Sequence, residues 1–550
     1  MRKKRFAGVA AGRTERATQP NSVWPPASPF FKYFHTFMGG QAVGHTRIVM
    51  GKPMKRTIII HLFLIIFPIT VFSQGINNLW MMGYGGLPAS PPFGGIDVNF
   101  ISGQPVITYL NRSMEFRRAV STICDSSGNF LFVTNGVYVA DATGDTMQNG
   151  SGLNPSVYTS WYPDGLPPHQ MNIIISDPGN ANLYYLFHCT VDDPPGNLLT
   201  RFLYYSLIDM TANGGLGAVI TKNQVLLNDT LNAGKLTACK HANGRDWWIM
   251  CHIAFTNTYK KFLVTPYGIY GPFNQSIGVV RAADAGQAQF SPDGSKFAYY
   301  GLIEDLDIFN FDRCTGFLSN PVHVAINDSS TGVGVAFSPN SQYLYVSSLR
   351  YVYQFDVTAP NIPATQTTVA VWDGFYSPNP PLGTYFDIAQ LAPDGKIYIA
   401  TGNGTLHLHV INQPDSAGLA CDLVQHGIPL PAFNYNSLPN HPNYFLGALA
   451  GSPCDTLTGV GNIPLHEFKF RVYPNPNNGV LQIEYQLPQN KPGLIEILDI
   501  NGKLLWSRNL PAWSTTQKIF VEDRLPQGFY LIRLTSDKKF ATQKLIIYDN

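Results

Sequence analysis

The sequence predicts an all-β chain: a seven-bladed β-propeller followed by a small Ig-like β-sandwich. Three observations carry this. Charged residues make up only 13% of the 550 residues, against roughly 25% in an average soluble protein. Aromatics are 13%, with 50 Gly and 41 Pro, so turns and aromatic strands outweigh helix formers. A short phrase also recurs: Phe290-Ser-Pro-Asp-Gly-Ser-Lys-Phe, Phe337-Ser-Pro-Asn-Ser-Gln-Tyr-Leu and Leu391-Ala-Pro-Asp-Gly-Lys-Ile-Tyr. It is a turn feeding an apolar run, the mark of a blade array.

The turn chemistry explains the recurrence. Pro presets φ, Asp or Asn hydrogen-bonds its own backbone, and Gly accepts φ > 0. Looser copies start at Cys124, Ser176 and His241. The turn residues Gly128, Gly179, Gly244, Gly294, Ser341 and Gly395 recur roughly every 50 residues, the spacing of propeller units. Six copies are visible. The seventh is expected around Asn440–Leu446, with a strand over residues 96–108 completing the last blade. A blade cannot bury both faces alone, so the copies must stack and close.

In chain order, residues 1–53 open with Arg2-Lys-Lys-Arg5 and show no sustained period. They are expected to be untranslated or disordered, with Met54 the true start. Residues 54–73 read as a signal peptide: Lys55-Arg56, an apolar run from Ile58 to Phe72, then Ser73 as the cleavage position. The run is shorter than the roughly 20 residues that span a bilayer. Residues 74–453 are the propeller. From Gln74 onward 26 Lys/Arg face 34 Asp/Glu. A mildly acidic chain without a basic stripe excludes nucleic acid as the expected partner.

Export permits disulfides, and seven cysteines leave at least one thiol unpaired. Cys239 and Cys251 flank the turn 241–245 and are the best-placed pair by local spacing. Cys239, His241, Cys251 and His252 also resemble a zinc set, but adjacent Cys251 and His252 would point to opposite faces of a strand. No metal and no cofactor are expected.

Residues 454–469 read as a linker. After it come seven short alternating runs: 470–473, 480–487, 494–500, 503–506, 518–521, 529–534 and 543–548. Asn501-Gly502 marks a hairpin. Residues 470–550 carry Val472-Tyr-Pro-Asn-Pro-Asn-Asn-Gly479, Ile497-Leu-Asp-Ile-Asn-Gly-Lys503, Gly528-Phe-Tyr-Leu-Ile-Arg533 and Lys544-Leu-Ile-Ile547. This stretch resembles the type A C-terminal sorting domain of the type IX secretion system of Bacteroidota. On that resemblance the motif residues are Pro474, Asn475, Pro476, Gly479, Asp499, Gly502, Gly528, Tyr530 and Lys544. It implies the type IX machinery as partner, passage by way of the periplasm, and a secreted or outer-membrane surface product. Removal of the domain and attachment to surface lipopolysaccharide are part of the same implication. The Ser-Pro-Asp-Gly turns resemble those of WD40-like and PD40-type propellers. Trp80-Met-Met-Gly-Tyr-Gly85 and Phe311-Asp-Arg-Cys-Thr-Gly316 resemble a group of exported Bacteroidota propellers, a resemblance that carries no activity with it.

No nucleophile elbow, HExxH, Walker A or dinucleotide fingerprint is present. The most chemically loaded stretch is His241-Ala-Asn-Gly-Arg-Asp-Trp-Trp248. His241, Arg245, Asp246, Trp247 and Trp248 are the candidate ligand residues, with an indole face for a sugar or aromatic ring. The plainer reading is a buried Trp and an Arg–Asp pair that locks the turn. Glu304, Asp305 and Asp307 read as a solvated loop edge rather than a carboxylate pair or Ca²⁺ site. The functional expectation is a surface or secreted module binding an unknown protein or glycan, with no catalytic residue assigned. The alternative is a hydrolase or lyase whose groups converge at one mouth of the propeller channel.

Overall fold

The computed structural model describes residues 75–548 apart from 86–89, 193–197, 329–333, 379, 456–468, 479, 488–490, 500–502, 513–516, 522–524 and 537–538. All lie in the larger, 70–550, of two compact units. The expectations for residues 1–53 and 54–73, and for Gly479 and Gly502, fall outside the described residues.

The chain is all-β. From Leu79 to Tyr435 the described residues form seven antiparallel sheets of three or four strands in sequence order, plus a two-stranded hairpin. Each sheet is a meander, so local pairing builds it and the sheets then stack. The first strands are Leu79–Gly83, Ser121–Cys124, Asn172–Ser176, Thr237–Lys240, Gly286–Phe290, Gly334–Phe337 and Phe386–Leu391. They are mostly buried along their length and pack on one another between successive sheets. The first sheet packs against Leu423–Tyr435 of the last and against Ser121–Cys124 of the second, closing the series into a propeller-like ring.

The recurring phrase is the turn between the first and second strands of the second to seventh sheets. Gly128, Gly244, Gly294 and Gly395 take positive φ there, and Ser341 takes the same conformation at φ 64°. Side chains hold the turns alike. Ser291 Oγ donates to Asp293 Oδ1 at 2.5 Å and Ser295 N donates to the same oxygen at 2.9 Å. Ser338 Oγ and Gln342 N make the equivalent bonds to Asn340 Oδ1 at 2.7 and 3.0 Å.

Two expectations about ring closure are corrected. The sheet without a copy of the phrase lies at the N-terminal end, as strands Leu79–Gly83, Gly95–Asn99 and Val106–Leu110. Its first connection is long, residues 84–94, so it lacks the Pro-Asp turn and leaves no copy of the phrase. Residues 96–108 therefore complete their own sheet, not the last one.

The stretch around Asn440 forms no strand. Residues 437–446 instead run through the middle of the ring. Asn440 N donates to Val120 O at 2.9 Å, and its Nδ2 donates to Asn172 O at 2.8 Å and Leu236 O at 2.9 Å. Gln390 Nε2 donates to His441 O at 3.4 Å, Asn443 Nδ2 to Pro292 O at 2.6 Å, and Tyr444 OH to Ile174 O at 2.8 Å. The segment leaves across the turn at 241–244, where Leu449 N donates to Ala242 O at 2.8 Å. A Cβ on Gly244 would lie 2.3 Å from Ala448 N, so only glycine admits this crossing.

Residues 469–547 form seven strands in two sheets, three-stranded and four-stranded, each overlapping one of the runs the alternation predicts, with Leu504–Leu510, Gly528–Ser536 and Lys539–Ile547 longer than expected. Ile483, Ile495, Ile497, Ile532, Leu534 and Leu545 meet in one core. Tyr548 lies against Phe273 and Phe317, with centroids 5.1 and 5.9 Å away.

Candidate functional site

The turn 241–246 is internally locked. Arg245 Nε donates to Asp246 Oδ1 at 2.7 Å, Asn243 Nδ2 donates to Asp246 Oδ2 at 2.8 Å, and Asn243 Oδ1 accepts from the backbone N–H of Arg245 and Asp246 at 3.0 Å each. His241 Nδ1 accepts from Asn243 N at 3.1 Å, so Nε2 carries the proton and donates to Cys314 O at 3.0 Å. Burial lowers the imidazole pKa, which agrees with this neutral form.

Trp247 and Trp248 are 0% and 1% exposed, so the expectation of an indole stacking face is overturned. Trp247 packs edge-on to Tyr444, and Trp248 lies under Gly316 with Nε1 donating to Arg313 O at 2.9 Å. Successive residues of a strand face opposite ways, and here both faces are buried between neighbouring sheets. What remains of the predicted group, His241, Arg245 and Asp246, lines a cavity of about 530 Å³. Its other wall is sorting-domain surface, including Tyr473, Asn475 and Lys544.

The expected Cys239–Cys251 disulfide is also corrected. The bonded pair is Cys314–Cys454, and Cys239 and Cys251 are free and buried. Cys239 faces Trp248 across the ladder. Cys251 lies three residues farther along that strand, about 10 Å away, too far to bridge. Asp307 is no loop edge: it is 1% exposed, 2.9 Å from both Arg281 Nη2 and His323 Nδ1.

Convergence occurs at the mouth of the ring remote from the Pro-Asp turns. There a cavity of about 380 Å³ is lined by Tyr84, Phe93, Arg118, Asn403, Phe433, Tyr435 and Asn436, among others. These residues come from the first sheet, the approach to the second, and the last. The rings form a continuous edge-to-face set: Tyr84–Phe93 at 5.4 Å, Tyr84–Tyr435 at 5.8 Å and Phe93–Phe433 at 5.3 Å. Burial, Tyr435 and Glu115 hold the Tyr84 phenol up at about 12, so it is a neutral hydroxyl.

Two guanidinium groups flank Tyr435, each 6.0 Å from its ring centre. Arg117 lies 3.6 Å from Glu115. Arg118 has no acidic partner among the described residues, and its Nε is buried without a hydrogen bond. Asn436 Nδ2 donates to the Asp387 carboxylate, while its buried Oδ1 has no hydrogen-bond partner. Asp387 Oδ2 lies 3.9 Å from His169 Nε2. Burial, and then the Arg118 charge, push the His169 pKa well below 6.5, so that ring is neutral.

The floor is closed. Beneath Arg118 a void of only about 10 Å³ is lined by His169, Gln170, Gln287, Gln390 and Asn440. The threaded segment thus turns what would be a through-channel into a blind cup. At the opposite mouth a cavity of about 250 Å³ is lined by the turns themselves, with Phe290, Phe337, Leu391 and the turn prolines Pro292, Pro339 and Pro393, and by Pro442 of the threaded segment. That end is scaffold chemistry.

Sequence reasoning missed Tyr84, Arg118, His169, Asp387, Tyr435 and Asn436. Each lies just beside or within the first or last strand of a sheet. Those positions share one mouth only once the ring is built. The signal that could have found them is the Arg117-Arg118 pair immediately before an inner strand, counted back from the phrase beginning at Cys124.

Residues 471–548 match the family model described as a secretion system C-terminal sorting domain. The chain therefore carries a type IX sorting tail, which implies export to the cell surface or secretion. No curated protein matches the chain. Among solved structures it is similar to a protein from Lactobacillus plantarum, at 13% identity over 66% of this chain and 99% of that one, with a TM-score of 0.39. It is similar to a beta-propeller domain from Myceliophteria thermophila, at 10% identity over 60% and 93%, with a TM-score of 0.35. A gluconolactonase from Xanthomonas campestris is matched at 12% identity over 59% and 92%, with a TM-score of 0.28.

Proposed function

We propose that the chain is an exported binding module: a seven-bladed propeller cargo whose ligand sits in the blind cup at the channel mouth, delivered by the type IX system. The observation that carries the reading is the cup itself. An aromatic wall, an Arg118 guanidinium without an acidic partner among the described residues and a closed floor make a concave site with a few convergent polar groups, the usual form of a small-ligand pocket. In the same reading residues 54–73 are the signal peptide, cut after Ser73, residues 74–453 are the cargo, and 454–469 link it to the Ig-like sorting domain at 470–550. The cell is a member of the Bacteroidota, and surface lipopolysaccharide receives the cargo if the tail is removed.

Binding is favoured over catalysis because, among the described residues, the imidazole–carboxylate pair at the mouth is sealed. His169 has a side chain only 4% exposed, beneath Arg118, and stands 3.9 Å from Asp387.

A thermal-shift screen of the exported protein against small glycans and organic acids tests the cup. Hits should vanish in Tyr435→Ala and Arg118→Gln. Hits untouched by both substitutions would move the site elsewhere. Separately, deleting residues 470–550 should trap the protein in the periplasm, and normal surface display of the truncation would overturn the sorting role.

A further inference from the structure

We infer that the ligand of the channel-mouth cup is a sugar acid: a single sugar ring, or the end of a chain, that bears a carboxylate as well as hydroxyls. This deepens the binding-module reading and rests on it.

Two buried polar atoms of the cup lack partners, and they are of opposite kinds. Arg118 Nε is a donor with no acceptor, and Asn436 Oδ1 is an acceptor with no donor. Leaving such groups buried and unpaired forfeits the hydrogen bonds that water gives them in the unfolded chain. A ligand that satisfies both must present an acceptor to the guanidinium and a hydroxyl or amine proton to the amide. The acceptor is anionic by the charge count at this mouth. Glu115 stands by Arg117, and Asp387 accepts from the Asn436 amide, so among the described residues Arg118 is the guanidinium at this mouth with no carboxylate in ion-pair contact. Guanidinium and carboxylate match as planar, two-pronged partners.

A carboxylate fits better than a phosphate. One unpaired guanidinium balances a monoanion, while Asp387 and Glu115 stand nearby and would repel a second negative charge. No lysine lines the cup among the described residues. The rest of the wall suits a pyranose. Tyr84, Phe93, Phe433 and Tyr435 offer aromatic surface to the C–H face of a sugar ring, and the Asn403 amide can meet a further hydroxyl. A volume of about 380 Å³ lies at the lower end of the range for small-ligand pockets.

The test is isothermal titration of the full exported chain with D-glucuronate, D-glucose, benzoate and inorganic phosphate. Glucuronate should bind with a dissociation constant below about 1 mM, with glucose and benzoate at least tenfold weaker. Arg118→Lys should weaken glucuronate about tenfold, because an ammonium cannot make the two-pronged contact, and Arg118→Gln should abolish measurable binding. Circular dichroism checks that each variant is folded.

Three results would overturn the inference. Glucose binding as tightly as glucuronate, and lost in Tyr435→Ala, would keep the cup as the site and remove the acid. Phosphate displacing glucuronate at equal concentration would replace the carboxylate by a phosphoryl group. Glucuronate binding that survives Arg118→Gln would remove the cup itself, and with it the binding-site reading.

Discussion

Asn440 donates its side-chain amide to the main-chain oxygen of Asn172, 268 residues earlier, at 2.8 Å. The same amide reaches Leu236 O at 2.9 Å, and its oxygen accepts from Gln170 Nε2 at 3.2 Å. One side chain in the threaded segment thereby ties the first strand of the third sheet to the residue that leads into the first strand of the fourth.

Asn440→Ala should therefore remove three buried hydrogen bonds: Leu236 O loses its side-chain donor, while Asn172 O keeps Ser121 Oγ at 3.1 Å and Gln170 Nε2 keeps Ala288 O at 2.9 Å. The expected loss is about 2–4 kcal/mol of unfolding free energy, read from the urea midpoint at unchanged slope. A loss below about 0.5 kcal/mol, the level of an ordinary surface substitution, would show that the thread does not hold the ring.

Thiol chemistry should separate the observed disulfide from the one the sequence suggested. Burial raises the Cys124, Cys189 and Cys239 thiols to about 12 and the Cys251 thiol above that. Native protein should show no fast-reacting thiol, and denatured protein should show the five free cysteines. Cys314→Ser with Cys454→Ser should cost about 2–5 kcal/mol, since the bridge closes a loop of 140 residues. Three reactive thiols after denaturation would mean that a second bridge exists.

Acid should destabilise the ring. Burial depresses His441 to about 4 and His188, His252 and His409 to about 3. Each folded-state value lies below the ordinary 6.5, so the unfolded chain binds protons first. The stability these neutral rings contribute is fully present above about pH 6.5 and falls as pH drops toward 4. His441 sits in the thread, with Nε2 donating to Thr122 O at 2.9 Å. His441→Gln should flatten this acid limb between pH 6.5 and 4. An acid limb of unchanged slope would assign the effect to other groups.

Within the sorting domain, Asn475 clamps the last strand. Its Nδ2 donates to Lys544 O at 2.6 Å and its Oδ1 accepts from Ile546 N at 2.8 Å. Asn475→Ala should free Lys539–Ile547, seen as faster amide hydrogen exchange there by roughly ten- to a hundredfold, the equivalent of about 1–3 kcal/mol. Equal exchange in both proteins would reassign that asparagine to recognition by the secretion machinery.

The repeats that could be read from the sequence were those whose turn chemistry is local. Ser291-Pro-Asp-Gly294 and Ser338-Pro-Asn-Ser341 fold the same way because side chain and backbone within four residues decide it. The first sheet escaped because its opening connection is long and has no such turn. Asn440–Leu446 looked like a repeat because asparagine and proline suit turns, yet its bonds go to Val120, Asn172, Leu236 and Pro292, distant in sequence. The cup was illegible for the same reason. Arg118, His169 and Asp387 meet only after three sheets are placed around an axis, and no local pattern records that placement.

The threaded segment also sets an order of events. Both of its ends continue into folded structure: Leu423–Tyr435 on one side, and the Cys314–Cys454 bridge on the other. A closed ring gives such a segment no way in from the end, so it must be laid down while the sheets still stand open. The last part of the cargo to be synthesised is thus the piece around which the earlier parts shut, and an incomplete chain has no axle to close upon.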